Sequence, residues 1–326
     1  MKYFLTGATG FLGGKLAQIL RAEGHEVVAL VRTPSKATAL KNLGVTIAQG
    51  DVTDKASMRA PMQGCDGVLH VAGWYKLGKR NHAEGWNINV QGTRNVLELM
   101  EELGIRKGVY TSTLAINSDT HGAVPDESFH FSGQHISEYD RTKAAAHEVA
   151  NEFIAKGLPL VVLMPGLIYG PDGTSLSDDA LRLFLKKQLP MVPRKSAYCW
   201  AHVDDIARAH LLGMEKAAPG STYIVAGPVH TLTEAMSMAS DITGIRKPLF
   251  VPPVLLKISA VFSALVENII RLPEMYSSEA LRVQAGVTYL GDNAKARREL
   301  GYQPRPLREG LAETLAYEQA KMKGKI

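Results

Sequence analysis

Lys2-Tyr3-Phe4-Leu5-Thr6-Gly7-Ala8-Thr9-Gly10-Phe11-Leu12-Gly13 stands at the start of the chain, and its reading decides the fold. Tyr3–Leu5 is a short apolar strand. The segment after the glycines repeats its apolar residues as Leu12, Leu16, Ile19 and Leu20, the spacing of one helical face. Gly7 permits a tight turn, Gly10 lets a backbone approach a pyrophosphate, and Gly13 allows close helix–sheet packing. At the helix N-terminus, free N–H groups and the dipole favour phosphate charge. Glycine triplets alone are weak signals. Placed at the first strand–helix turn, this one predicts dinucleotide binding, with Thr9, Phe11 and Leu12 completing the loop.

Working outward, the first half alternates short apolar runs with helical stretches, the order of a parallel sheet covered on both faces. Strands are expected at Val27–Val31, Val45–Ala48, Gly67–Val71, Gly108–Thr111 and Leu160–Leu163. Between them lie expected helices at Leu12–Ala22, Pro34–Leu43, Ala56–Met62, Ala83–Leu103 and Glu138–Ala155. After Pro165 the rhythm loosens: Ser177–Gln188 and Asp204–Lys216 read as helices, Thr222–Ala226 as a strand, and Leu307–Ala320 as an amphipathic helix. The expected architecture is α/β: a doubly wound parallel sheet over 1–165, which also receives part of 198–226, with a smaller, mostly helical substrate region over 166–326. Leu249–Leu272 is rich in apolar residues, but Pro252, Pro253, Lys257, Glu267 and Asn268 interrupt it, so it makes a poor membrane span. Two readings stand: a helix packed over the pocket or core, or an interfacial helix touching a membrane.

Composition narrows the function. The 326 residues are 45% hydrophobic and 21% charged, ordinary globular proportions that exclude a disordered or fibrous chain. The net charge of +5 is mild and reads as scattered, without the basic stripe that nucleic-acid binding needs. Cys65 and Cys199 are too few for a disulfide framework or a cysteine zinc site, and no metal site is expected. Met1–Gly7 lacks the apolar run of a secretory signal, so a cytoplasmic protein is expected, and its oligomeric state, monomer or homodimer, stays open.

A carboxylate commonly ends the second strand of NAD-binding sheets. Here the strand ends in Arg32, with Lys36 just beyond, and no acid is present. Arg32 could pair with a 2′-phosphate, so NADP(H) is favoured over NAD(H). Tyr-x-x-x-Lys places a phenol and an ammonium on one helical face, where the ammonium favours the phenolate and suits the tyrosine to proton transfer. The pattern occurs three times. Tyr75/Lys79 lies in a glycine-rich loop and Tyr317/Lys321 in the C-terminal tail, and both read as chance. Tyr139/Lys143 opens a predicted helix after the fifth strand, at the sheet edge where ligands bind. That strand ends in Thr111-Ser112-Thr113, whose hydroxyls could hold the reacting oxygen beside Tyr139.

With these pieces in place, the chain resembles the extended short-chain dehydrogenase/reductases (the epimerase/dehydratase superfamily of Rossmann enzymes) over nearly its whole length. Further matching motifs are Gly50-Asp51-Val52, His70-Val71-Ala72, Asn89–Thr93, Pro165–Pro171 and His202-Val203-Asp204-Asp205. The resemblance implies that Asp51 and Val52 contact adenine and that Val71, Ala72 and Gly73 line the ribose. It implies that Pro165 and Leu167 lie against the nicotinamide, with Thr111 at the cofactor edge. Thr113, in place of the commoner serine, Tyr139 and Lys143 would form the catalytic set. Leu114 and Ala115 replace the acids of sugar-nucleotide dehydratases. Gly166 and Tyr198 replace an asparagine and an arginine usual in nucleotide-sugar epimerases. The remaining pattern is similar to the dihydroflavonol-reductase-like branch, which reduces ketones and aldehydes on apolar or aromatic small molecules with NADPH. Trp74, Tyr75, Trp86, Tyr169, Tyr198 and Trp200 are candidate pocket walls, each of which could equally be core. A sugar-like epimerase and a non-catalytic NADP-binding sensor are the alternatives.

Overall fold

The computed structural model describes residues 1–76, 82–267, 270, 272 and 276–325. Seven strands build one parallel sheet: β1 (Lys2–Thr6), β2 (Glu26–Val31), β3 (Thr46–Gln49), β4 (Gly67–His70), β5 (Gly108–Thr111), β6 (Leu160–Pro165) and, much later in the chain, β10 (Thr222–Val225). Their spatial order is β10-β6-β5-β4-β1-β2-β3. Tyr3 pairs with both Val27 and Gly67, so β1 is central and the order reverses between β1 and β4. In such sheets ligands bind beyond the carboxyl ends of the strands at that reversal.

The inner strands read as unbroken apolar runs because both faces are covered, whereas the edge strand β3 is half-open to solvent. Tyr3 and Leu5 point to one face, among Leu12, Leu16 and Leu20 of α1 (Phe11–Ala22) and Ile206 and Leu211 of α8 (Val203–Lys216). Phe4 points to the other, among Met58 and Met62 of α3 (Lys55–Met62), Val96, Leu99 and Met100 of α5 (Gly92–Glu102), and Val149 and Phe153 of α6 (Glu138–Ala155). Cys65 and Cys199 are free, buried thiols.

Three expectations change. The helix expected over 34–43 is a single 3-10 turn, Pro34–Lys36, followed by the short α2 (Thr38–Asn42), because Ala37 N–H closes back on Pro34 and its side chain turns into the core. The helix expected over 83–103 divides into α4 (His82–Trp86), a wide π turn at Asn87–Gln91, and α5. Within that turn Asn89 faces inward, where its side chain accepts from Trp74 N–H and donates to Trp74 O and Thr142 Oγ1.

The third change is a second sheet built from strands too short to show a period. β7 (Leu167–Tyr169), β9 (Ala197–His202), β11 (Val229–Thr231) and β13 (Thr288–Tyr289) form it around β9. β8 (Met191–Pro193) pairs separately with β12 (Leu249–Val251). On this layer pack α7 (Leu176–Leu185), α9 (Leu232–Thr243) and α13 (Leu307–Met322), sharing a third core with Tyr169 and Trp200. The segment from 249 therefore begins as a strand and continues as α10 (Pro253–Val266), packed on α11 (Ser278–Gln284). α12 (Ala294–Leu300) leans on α8 and β10. No described helix is long and apolar enough to cross a membrane.

Candidate active site

The glycine loop is shaped by contacts that a side chain would destroy. Gly7 has φ +75°, and a Cβ there would lie 2.7 Å from Ala72 N. At Gly13 a Cβ would lie 2.1 Å from Gly7 O, so α1 can approach the loop only through glycine. Gly10 caps α1 without a side-chain partner, and no acid lies in the first turn, which leaves the positive end of the helix open. Thr9 and Gly10 are exposed, Phe11 is half-buried, and the Leu12 side chain belongs to the core, so only its backbone faces the loop.

The neighbouring loops line the same edge. Thr6 Oγ1 accepts from Val71 and Ala72 N–H, which holds the end of β4 beside the glycines. Gly73 is exposed beyond them. Arg32 is 71% exposed, its Nε 4.0 Å from Asp51 Oδ2, and Lys36 is exposed in the following turn. Asp51 Oδ1 is engaged by Thr53, whereas Val52 is buried against Gly92. This cradle fits a dinucleotide: a tight glycine turn, an uncapped helix N-terminus and two unburied cations at its far end.

Thr113, Tyr139 and Lys143 converge at the carboxyl edge of β5. Ser137 caps α6 by accepting from Asp140 N–H, and this places Tyr139 in the first turn, with Lys143 one turn on. Burial pushes the Tyr139 phenol up to about 12, while the neighbouring Thr113 hydroxyl pulls the other way. Lys143 is buried, and desolvation lowers it to about 7. Its Nζ donates to Thr111 O at 2.8 Å and to the Tyr110 hydroxyl at 3.1 Å. Lys143 is thus pinned to the strand, and burial of the phenol dominates over the expected lowering.

Of the strand-end hydroxyls only Thr113 reaches Tyr139. Thr111 turns to the opposite face, where its hydroxyl lies 2.7 Å from His210 Nε2. His210 Nδ1–H donates to Ile206 O, so Nε2 accepts and Thr111 is the donor. Its hydroxyl proton is thus committed to His210. Ser112 is buried with its hydroxyl 2.8 Å from His147 Nδ1.

The candidate pocket walls separate into three groups. Tyr169 and Trp200 are 1% exposed and stand edge to face in the third core, Trp200 donating to His230 O; they are core, because the unforeseen second sheet closes over them. Tyr75 and Trp86 are exposed, the latter beneath the Arg141 guanidinium. Trp74 and Tyr198 lie near the edge. Trp74 is buried, and its indole N–H has no hydrogen-bond partner among the described residues. Tyr198 stacks on Tyr289, whose hydroxyl donates to Asp140 at 2.9 Å. Sequence reasoning missed Tyr289, Asp140 and Glu279, whose carboxylate accepts from Glu138 N–H; no motif or period marks them. Of the other Tyr-x-x-x-Lys pairs, Lys321 bonds Asp172 on the surface, and Lys79 lies outside the described residues.

Pro165 is buried at the end of β6 and Leu167 is half-buried. Between them a Cβ on Gly166 would fall 2.1 Å from Cys199 O, so no side chain fits there.

A profile of the NAD dependent epimerase/dehydratase family matches residues 3–226. The chain belongs to this family. Among its relatives, a putative dihydroflavonol 4-reductase of Synechocystis sp. is 30% identical, over 97% of this chain and 94% of that one. Sterol demethylase protein B of Methylococcus capsulatus is 29% identical over 97% and 98%. The crystal structure of gox2253 superposes with a TM-score of 0.85 at 27% identity, covering 99% of each chain. UDP-glucose 4-epimerase of Thermotoga maritima, at 21% identity and a TM-score of 0.79, shares the fold. Membership with reductase-named relatives makes the chain an NAD(P)-dependent oxidoreductase of the extended short-chain type.

Proposed function

We propose that the chain is an NADPH-dependent reductase of a ketone or aldehyde carried on an apolar or aromatic small molecule. The observation that carries this reading is the Thr113 hydroxyl standing beside the Tyr139 phenol at the sheet edge, with Lys143 buried one turn away. The loop from Gly7 to Gly13 holds the diphosphate, Arg32 and Lys36 the 2′-phosphate, and Asp51 with Val52 the adenine. Val71, Ala72 and Gly73 border the ribose, and Pro165 and Leu167 the nicotinamide. When bound, the cofactor supplies the hydride that reduces the carbonyl carbon.

The protein's part is to receive charge on the carbonyl oxygen and return a proton. Thr113 and Tyr139 hydroxyls donate to that oxygen, and Tyr139 O–H passes its proton to it as the C–O π pair becomes an alkoxide. A phenol raised to about 12 by burial is held protonated, the state a proton donor requires. The Lys143 ammonium offsets the phenolate charge left behind. Trp74, with an unpartnered buried N–H, and Tyr198 form the inner pocket wall, with Tyr75 and Trp86 at its mouth.

Reductase-named relatives, including a cinnamoyl-CoA reductase of Oryza sativa at 31% identity over 73% of this chain, support the same class. A nucleotide-sugar epimerase is the second reading, suggested by the shared fold. Gly166 argues against it, because the position leaves no room for a diphosphate-binding side chain. NADPH oxidation against small aldehydes, aromatic ketones, flavanonols and ketosteroids tests the proposal. Turnover should fall about 10²-fold or more in Tyr139→Phe. Arg32→Ala should raise KM for NADPH about tenfold while leaving that for NADH unchanged. Turnover untouched by Tyr139→Phe, or epimerisation of a nucleotide sugar without carbonyl reduction, would overturn it.

A further inference from the structure

α10 is amphipathic the wrong way round. Val254, Leu255, Ile258, Val261, Phe262 and Leu265 are between 47% and 64% exposed. At about 100° per residue these six fall within about 120° of arc, a continuous apolar face turned to solvent. Ala260, on the opposite side, is the buried residue of the helix. Isolated exposed apolar side chains need no explanation, but a contiguous face of this kind marks a binding surface.

The charge around this face is one-sided. Residues 186–203 contain Lys186, Lys187, Arg194 and Lys195 and no acid; residues 242–266 contain Arg246, Lys247 and Lys257 and no acid. These are seven positive charges in two stretches that no acid interrupts. The pairing of β8 with β12 brings the two stretches together, and Arg194 donates from its backbone to Val251 O and from Nε to Phe250 O, at the entrance to α10. Met191 and Leu249, paired on these strands, are also exposed.

We infer that α10 and the β8–β12 ribbon form a docking surface for an anionic lipid bilayer, with the apolar face of α10 in the acyl–headgroup boundary and the surrounding cations on lipid phosphates. An apolar face edged with lysine and arginine is the pattern of helices that lie in such an interface. On its inner side α10 packs against α11, whose Glu279 holds the first residue of α6, so α11 alone stands between the docking helix and the helix that carries Tyr139. This surface goes beyond the reductase reading and does not depend on it.

The test is cosedimentation of the full chain with vesicles of equal parts phosphatidylglycerol and phosphatidylcholine, and with phosphatidylcholine alone. Binding is expected to the first and to be weaker by about tenfold or more on the second. Phe262→Glu with Leu265→Glu should reduce binding about tenfold or more, as should Arg246→Glu with Lys247→Glu. Because these side chains are exposed, the thermal midpoint should stay at the wild-type value, which separates lost docking from lost folding. No binding to anionic vesicles, equal binding to both compositions, or binding insensitive to both pairs of substitutions would overturn the inference. A concentration-dependent dimer that Phe262→Glu dissociates, without vesicle binding, would assign the face to a second copy instead.

Discussion

Lys143 is held by a hydrogen-bond chain that runs through the sheet. Thr6 Oγ1 accepts from two backbone N–H groups and so donates to His70 Nδ1, 2.8 Å away. His70 Nε2–H then donates to Thr93, whose hydroxyl stands beside the Tyr110 oxygen that accepts from Lys143. Burial lowers His70 to about 3, so the chain is uncharged up to the lysine. Tyr110→Phe removes one of the two acceptors of the ammonium and should lower its pKa further. Activity that needs the charged lysine is lost as pH rises through that pKa, so the basic limb of kcat/KM should move about one unit to lower pH. An unmoved limb would reduce Tyr110 to a packing residue. Gly166 gives a second residue-scale test. With Cys199 O at 2.1 Å from its added Cβ, Gly166→Asn should cost about 2 kcal/mol or more in denaturant unfolding. Gly73→Ala, where the nearest atom lies at 3.5 Å, should cost far less. Motifs gave away these positions but not their partners. His-Val-Ala and Tyr-Thr-Ser could be read as pieces, whereas the chain joining Thr6 to Lys143 exists only after strands 1, 4 and 5 lie side by side.

At the scale of elements, the helical period marks α6 over Glu138–Ala155, and the folded chain adds a serine cap and acids in the first turn that agree with it. What surrounds its first turn was not. Glu279 and Tyr289 arrive from about the other end of the chain, and neither sits in a periodic run that sequence reasoning can use. Their presence perturbs Asp140. Burial raises its carboxyl to about 7, against hydrogen bonds from Ser137 and Tyr289 that pull it down. The unfolded chain releases this proton near about 4, while the folded chain holds it until about 7. The folded state therefore binds more protons across that window, and its stability from this group is complete below about 4 and lost as pH rises through about 7. Asp140→Asn keeps an oxygen for Tyr289 and removes the titration. It should gain stability relative to the wild type steadily between about pH 4 and pH 7, measured by denaturant unfolding. A difference that is constant with pH would mean that Asp140 is already ionised in the native protein.

On the scale of the whole molecule, the two sheets differ in how they are encoded. Buried parallel strands between glycine-punctuated helices announce themselves. The second sheet pairs Thr288 with Ala197 and Val229 with Cys199, using strands of two to six residues, and only the folded chain brings them together. That is why Tyr169 and Trp200, plausible as pocket walls in one dimension, are core in three. The C-terminal helices also reach back to the large sheet. α12 packs on α8 and β10 of the large sheet, and Arg305, just before α13, reaches back to α8. Its backbone N–H and guanidinium both bind Asp205, and Nη1 binds Glu313 at 2.7 Å. The Arg305 and Asp205 side chains are 21% and 12% exposed, so removing one leaves the other poorly solvated. Arg305→Leu should cost about 3 kcal/mol. Asp205→Asn should cost less, and the double variant less than the sum, giving a coupling energy in a double-mutant cycle. Because this pair joins the C-terminal helices to the helix that covers the large sheet, Arg305→Leu should lower one cooperative thermal transition as a whole. Division into two transitions would mean that the C-terminal layer folds on its own, and that contacts other than this pair hold it to the sheet.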